Sequence, residues 1–149
     1  MSCLICDRIE MIKNGANPFF VRELTTGYVV IGDHQHFRGY TLFLCREHVP
    51  ELHFLDHGSK VKFLEEMSLV AEAVYHAFNP EKLNYELLGN GDTHLHWHIF
   101  PRVAGDTPKP GPVWWLSKAK MFSDSNRPNE AELKDMATRL RRELDKLTR

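Results

Sequence analysis

The sequence predicts an α+β domain, an antiparallel meander sheet with a long central helix and a C-terminal helix laid against it. Two helical stripes and a run of short alternating strands separated by Gly- and Pro-bearing turns carry that prediction. At 149 residues the chain has the size of one domain. With 42% hydrophobic residues, three Trp and nine Phe, it can build an ordinary core.

The elements follow in order. Residues Leu4 to Asn14 read as a short helix stopped by Gly15, a residue suited to the left-handed cap. Phe19 to Leu24 and Tyr28 to Gly32 read as strands joined at Thr25-Thr26-Gly27. A third strand spans Tyr40 to Cys45 after the Arg38-Gly39 break. From Lys60 to Phe78, apolar residues at Phe63, Met67, Val70, Val74 and Phe78 mark one helix face, and Asn79-Pro80 ends it. Tyr85 to Leu88 and His94 to Phe100 read as two further strands around Gly89-Asn90-Gly91-Asp92.

Beyond Pro101 the composition shifts. Gly105 to Pro112 holds three prolines and two glycines and reads as a loop, followed by the apolar patch Val113-Trp114-Trp115-Leu116. Trp114 and Trp115 are read as core or dimer contacts, with base stacking as the alternative. Asn129 and Glu132 have capping-box spacing at the head of a helix running to Arg149, with Leu133, Met136, Leu140, Leu144 and Leu147 as its stripe. Residues 1–115 are taken as the main domain and 116–149 as an extension whose helix packs on it.

Composition excludes some functions. A net charge of −1 argues against broad electrostatic capture of nucleic acid or an acidic membrane, so an anionic substrate needs a local site. No stretch reads as a signal peptide or a membrane span, and three cysteines do not suit a disulfide framework. The expectation is a cytoplasmic enzyme or binding domain.

The chemistry concentrates in His94-Leu95-His96-Trp97-His98-Ile99-Phe100. On a strand the three histidines share one face, and Leu95, Trp97 and Ile99 share the other. At about 3.3 Å per residue, His94 and His98 stand roughly 13 Å apart and neighbours roughly 6.6 Å apart. Neither one metal ion nor one phosphate suits all three, so one outer histidine should do a different job. Nucleophilic attack on phosphorus and a His-x-His metal site both remain open.

Cys3-Leu4-Ile5-Cys6 is a C-x-x-C without the βαβ context of a redox motif. As half of a structural zinc site it needs two more ligands. His48 and His94 are the candidates, and spacing alone leaves His34, His36, His53 and His57 open. Cys45, in an apolar strand, reads as core.

These residues resemble the histidine triad (HIT) family, whose signature His-φ-His-φ-His-φ-φ (φ apolar) is matched throughout residues 94–100. The resemblance extends from Cys3 to about Trp115, through Ile31-Gly32-Asp33, Gly39-Tyr40-Thr41-Leu42 and His48. It implies a nucleotide hydrolase or transferase acting at the α-phosphorus of nucleoside phosphoramidates or (di)nucleoside polyphosphates. His96 would be the nucleophile and His98 a phosphate donor, with Asp33 on the ribose hydroxyls and Asn90 and Thr93 by the phosphates. Zinc-bearing members imply a structural metal on Cys3, Cys6, His48 and His94. The family also implies an adenine nucleotide as substrate, no organic cofactor and a homodimer. One departure is the short loop before His94, which lacks the Gln that many members direct at the leaving group. A metallohydrolase with its metal on His96 and His98, or a nucleotide-binding module without turnover, are the competing readings.

Overall fold

The computed structural model describes residues 2–148; Met1 and Arg149, the outermost residues of the two expected units, lie outside the described residues. Helix α1 spans Leu4–Lys13, capped at its start by the Cys3 sulfur, which accepts from Cys6 N–H. Gly15 follows its end at φ +70°, a conformation that costs glycine little. Strands β1 (Phe20–Glu23), β2 (Gly27–Ile31), β3 (Thr41–Cys45), β4 (Lys82–Glu86) and β5 (His96–Arg102) form one sheet, ordered β1-β2-β3-β5-β4 with every pairing antiparallel. Helix α2 (His57–Phe78) connects β3 to β4. The short α3 (Lys118–Met121) and the long α4 (Glu130–Leu147) follow β5.

The two faces of the sheet are built differently. On one, Val29, Ile31, Phe43 and Ile99 meet Phe63, Val70 and Val74 of α2 and Met136, Leu140 and Leu144 of α4 in a continuous core. The expected capping box of α4 is present, with Asn129 and Glu132 exchanging bonds to each other's backbone N–H. Together these contacts place the C-terminal helix on the same core as α2. On the other face the cover is broken in two. Ile5 and Ile9 of α1 pack on Tyr28, Val30 and Leu44, while Phe37, Val113, Leu116 and Met121 pack on Phe100. The sheet surface between these small clusters is left open.

Most element ends shift by a residue or two from expectation, and three of the differences have a clear physical reason. Helix α2 begins three residues earlier, because Asp56 accepts from Ser59 N–H and caps a turn that carries no apolar stripe. Strand β4 covers Lys82–Glu86, not Tyr85 to Leu88, since its register runs from Lys82↔Arg102 to Glu86↔His98. Strand β5 starts at His96, so the strand alternation expected for three histidines holds for His96 and His98 only. His94 stands in the bend before the strand, where its ring is tied to the Cys45 carbonyl at 2.6 Å. Among the described residues no helix is long and apolar enough to cross a membrane.

Candidate functional site

The open stretch of sheet floors a cavity of about 310 Å³, with Val30, Leu42, Leu44, His96 and His98 beneath, Leu4, Ile5 and Arg8 on one side, and Trp114, Met121 and Phe122 on the other. Strand alternation makes this floor: Leu44 pairs His96 and Leu42 pairs His98 across β3 and β5. A larger open groove of about 900 Å³ runs along β4 and residues 102–112. It contains none of the triad histidines, and its Arg102 is held by both oxygens of Asp106.

His96 is buried, 7% exposed, with Nδ1 2.6 Å from the His94 carbonyl oxygen. A carbonyl can only accept, so Nδ1 carries the proton and donates it. In the neutral ring the Nε2 lone pair is then the free nucleophilic atom. His98 lies with its ring centroid 4.7 Å from that of His96. Its Nδ1 is 2.6 Å from the Tyr40 hydroxyl. Burial, and after it the nearby Asp33 and Glu86 carboxylates, holds the Tyr40 phenol far above its ordinary range, so it keeps its proton. That hydroxyl has no other acceptor among the hydrogen bonds described. It therefore donates to Nδ1, and the single proton of neutral His98 sits on Nε2. Desolvation first, and the charge of His96 second, push His98 down to about 4. The ring is stacked parallel to Phe100 at 5.9 Å and to Tyr40 at 6.0 Å, which fixes its direction.

Beside the cavity, Cys3, Cys6, His48 and His94 bring one donor atom each to within 4.8 Å of one another. Cys6 Sγ lies 3.3 Å from His48 Nδ1 and 3.4 Å from His94 Nδ1, and the two imidazole nitrogens are 3.1 Å apart. With metal–sulfur bonds of about 2.3 Å and metal–nitrogen bonds of about 2.0–2.1 Å, a tetrahedral ion holds S and N about 3.5 Å apart and two N about 3.3 Å apart. The separations among Cys6, His48 and His94, and the 3.7 Å from Cys3 Sγ to His94 Nδ1, fall near that spacing. Donation from His94 Nε2–H to Cys45 O also leaves Nδ1 unprotonated toward the cluster, the outer-shell arrangement of a metal-bound histidine. Desolvation and the Cys3 sulfur raise the Cys6 thiol above its usual range, a penalty that a bound cation reverses. His34, His36, His53 and His57 are absent from this cluster.

Asp33 lines the cavity, with both its oxygens taken by Arg8, at 3.0 Å to Nη1 and 2.7 Å to Nη2. Asn90 and Thr93 are exposed on the loop before His94 and do not line the cavity; Asp92 of the same loop does. The Trp pair is not core. Trp114 is 45% exposed, stands at the cavity edge-on to Phe100 and donates its indole N–H to Glu86 at 2.8 Å, while Trp115 is 55% exposed. The reason is the 3-10 turn Val113–Trp115, which buries Val113 and turns both indoles outward.

Tyr40, Arg8, Glu86 and Phe122 escaped the sequence reading. Tyr40 was accessible by alternation, being two residues before Leu42 on the face shared with His98. Glu86 pairs with His98 only in the observed register, and Arg8 and Phe122 come from elements whose placement carries no local signal.

Several solved structures share the fold. A histidine triad protein from Bradyrhizobium japonicum superposes with a TM-score of 0.73 at 25% identity, covering 84% of this chain and 89% of that one. A hypothetical histidine triad nucleotide-binding protein from Sulfolobus tokodaii gives 0.72 at 19% identity over 97% and 95%. A zinc-bound histidine triad family protein from Mycobacterium smegmatis gives 0.68 at 20% identity over 99% and 96%. No curated protein matches the sequence. The HIT domain family model matches residues 21–105, more than half of the chain and inclusive of the whole histidine signature, and on that match the chain belongs to the HIT-domain family.

Proposed function

We propose that the protein is a nucleotide hydrolase or nucleotidyl transferase acting at the α-phosphorus of a nucleoside phosphoramidate or (di)nucleoside polyphosphate, with adenine as the base. One observation carries the reading: His96 Nδ1–H is committed to the His94 carbonyl at 2.6 Å, which in the neutral ring leaves the lone pair on Nε2 of a residue that lines a cavity together with a second histidine.

In this mechanism Nε2 of His96 attacks the α-phosphorus. The nitrogen–phosphorus bond forms as the bond to the leaving group breaks, and the leaving group departs with the bonding pair. Water then attacks the same phosphorus, its oxygen forming the new bond and its proton passing to solvent, while His96 leaves with its electrons restored. Neutral His98 offers Nε2–H to a phosphoryl oxygen without having to be charged. Asp33 takes ribose hydroxyls, and Asn90 and Thr93 are phosphate contacts reached from the loop whose Asp92 lines the cavity. The same proposal includes a homodimer.

Zinc on Cys3, Cys6, His48 and His94 is the second part of the proposal, supported by the tetrahedral donor spacing and by the zinc-bound relative. When bound, zinc supplies a structural cross-link between α1 and the turn before β5. The donor set is complete without His96 and His98, which favours a structural role over a metallohydrolase.

The test is AMP release from adenosine 5′-phosphoramidate and from a diadenosine polyphosphate by wild type and His96→Ala. Release by wild type, with a loss on the order of 10⁴-fold in the variant, supports the nucleophile. Substantial activity in His96→Ala overturns the mechanism. AMP binding by both without turnover of any substrate favours a binding module, and zinc content unchanged in His96→Ala excludes a catalytic metal on that residue.

A further inference from the structure

Helix α1 belongs to two sites at once. Its cap is the Cys3 sulfur and its first turn carries Cys6, both in the metal-type cluster with His48 and His94. Two residues after Cys6, Arg8 reaches the other way and grips both oxygens of Asp33 across the cavity. The Arg8 backbone is itself held, since its carbonyl accepts from Asn17 Nδ2 at 3.2 Å. The guanidinium also lies over the Phe19 ring, 5.8 Å from its centroid. The side chain thus has one direction, and the helix that sets this direction is anchored at the cluster.

Each oxygen of a carboxylate has two lone pairs, and Arg8 occupies one on each. One lone pair on each oxygen is left free, enough to accept from two adjacent hydroxyls of a sugar entering the cavity that Asp33 lines. A fork-shaped donor orients a carboxylate plane in a way that a point charge does not.

We propose that Arg8 is a positioning residue that couples metal binding to nucleotide binding: the ion fixes the start of α1, α1 fixes Arg8, and Arg8 fixes the Asp33 carboxylate for the ribose. This rests on the nucleotide and zinc readings above. Linkage makes the coupling reciprocal, so AMP must tighten zinc by the same factor that zinc tightens AMP. The link is a physical chain of about the first turn and a half of one helix and one bidentate ion pair.

The reciprocal form is tested by zinc titration under conditions where circular dichroism shows the metal-free protein folded, so that the factor reports coupling between sites and not folding. Zinc affinity is measured by competition with a chromophoric chelator, with and without saturating AMP, in wild type, Arg8→Lys and Arg8→Gln. AMP affinity of each loaded protein is measured separately by calorimetry. In wild type, AMP should raise zinc affinity about 5-fold or more. In Arg8→Gln that factor should fall to near one, and Arg8→Lys, which keeps the charge without the fork, should retain part of it. A merely structural role for Arg8 would lower zinc affinity equally with and without AMP, leaving the factor intact, and that result overturns the proposal. AMP binding without any effect on zinc in wild type overturns the coupling alone. Failure of AMP to bind the loaded wild type overturns the nucleotide reading and the coupling with it.

Discussion

The hydroxyl of Tyr40 lies 2.6 Å from His98 Nδ1, and this one hydrogen bond determines which nitrogen of His98 faces the cavity as a donor. Tyr40 is fixed in turn by stacking on Phe100 with ring centroids 4.3 Å apart. Replacing it by Phe keeps the stack and removes the donor. Tyr40→Phe should lower kcat on the order of 10²-fold with KM little changed, because the lost donor acts on charge that develops in the transition state. It should also cost about 1–3 kcal/mol of stability for the unpaired buried nitrogen. Steady-state kinetics and denaturant titration check both.

Gly32 tests the same relationship from behind. A Cβ at this position would lie 2.3 Å from the Tyr40 ring, a contact that must displace the ring. Gly32→Ala should therefore share the kinetic signature of Tyr40→Phe while adding an overpacking cost of about 1–3 kcal/mol. Wild-type kcat in Gly32→Ala would show that the Tyr40 position is unimportant.

His98 predicts how stability depends on pH. Its folded value is pushed down to about 4 from 6.5, mainly by burial, so between these limits the unfolded chain binds a proton that the folded chain refuses. The contribution is fully present above pH 6.5 and is lost as pH falls toward 4. At pH 5 the loss amounts to at most about 2 kcal/mol. The drop in unfolding free energy from pH 7 to pH 5 should be smaller by about this amount in His98→Asn than in wild type. Equal drops would mean that His98 titrates normally in the folded protein.

Metal removal should act on stability before chemistry. With zinc at about a thousandfold above its dissociation constant, binding adds about 4 kcal/mol. Chelation, or Cys6→Ser, should lower Tm by roughly 10 °C. The variant should not respond to added zinc. A chelator-insensitive Tm in protein shown by elemental analysis to carry zinc would remove the structural role.

Much of this molecule was legible in the order of its residues, for reasons that are local. The stripes of α2 and α4 and the caps at Gly15, Asn79 and Asn129 depend on neighbours within one or two turns, and each appears in the structure. The histidine signature pointed to the strand whose His96 and His98 line the candidate site, and Cys3, Cys6, His48 and His94 meet in one cluster although 91 positions separate the first from the last. Other features depended on the packing of distant elements. The register of β4 against β5 decides that Glu86 stands across from His98, and no local pattern selects that register over a shift toward Leu88. At the bend that takes His94 out of the strand, its ring bonds to Cys45, 49 residues away. The cavity is a gap between two small hydrophobic clusters, with Trp114 and Phe122 brought to its wall from beyond the family domain. Periodicity and capping are written residue by residue in the chain. A tautomer, a carboxylate's orientation and the empty space above a sheet arise only when separate elements close on one another.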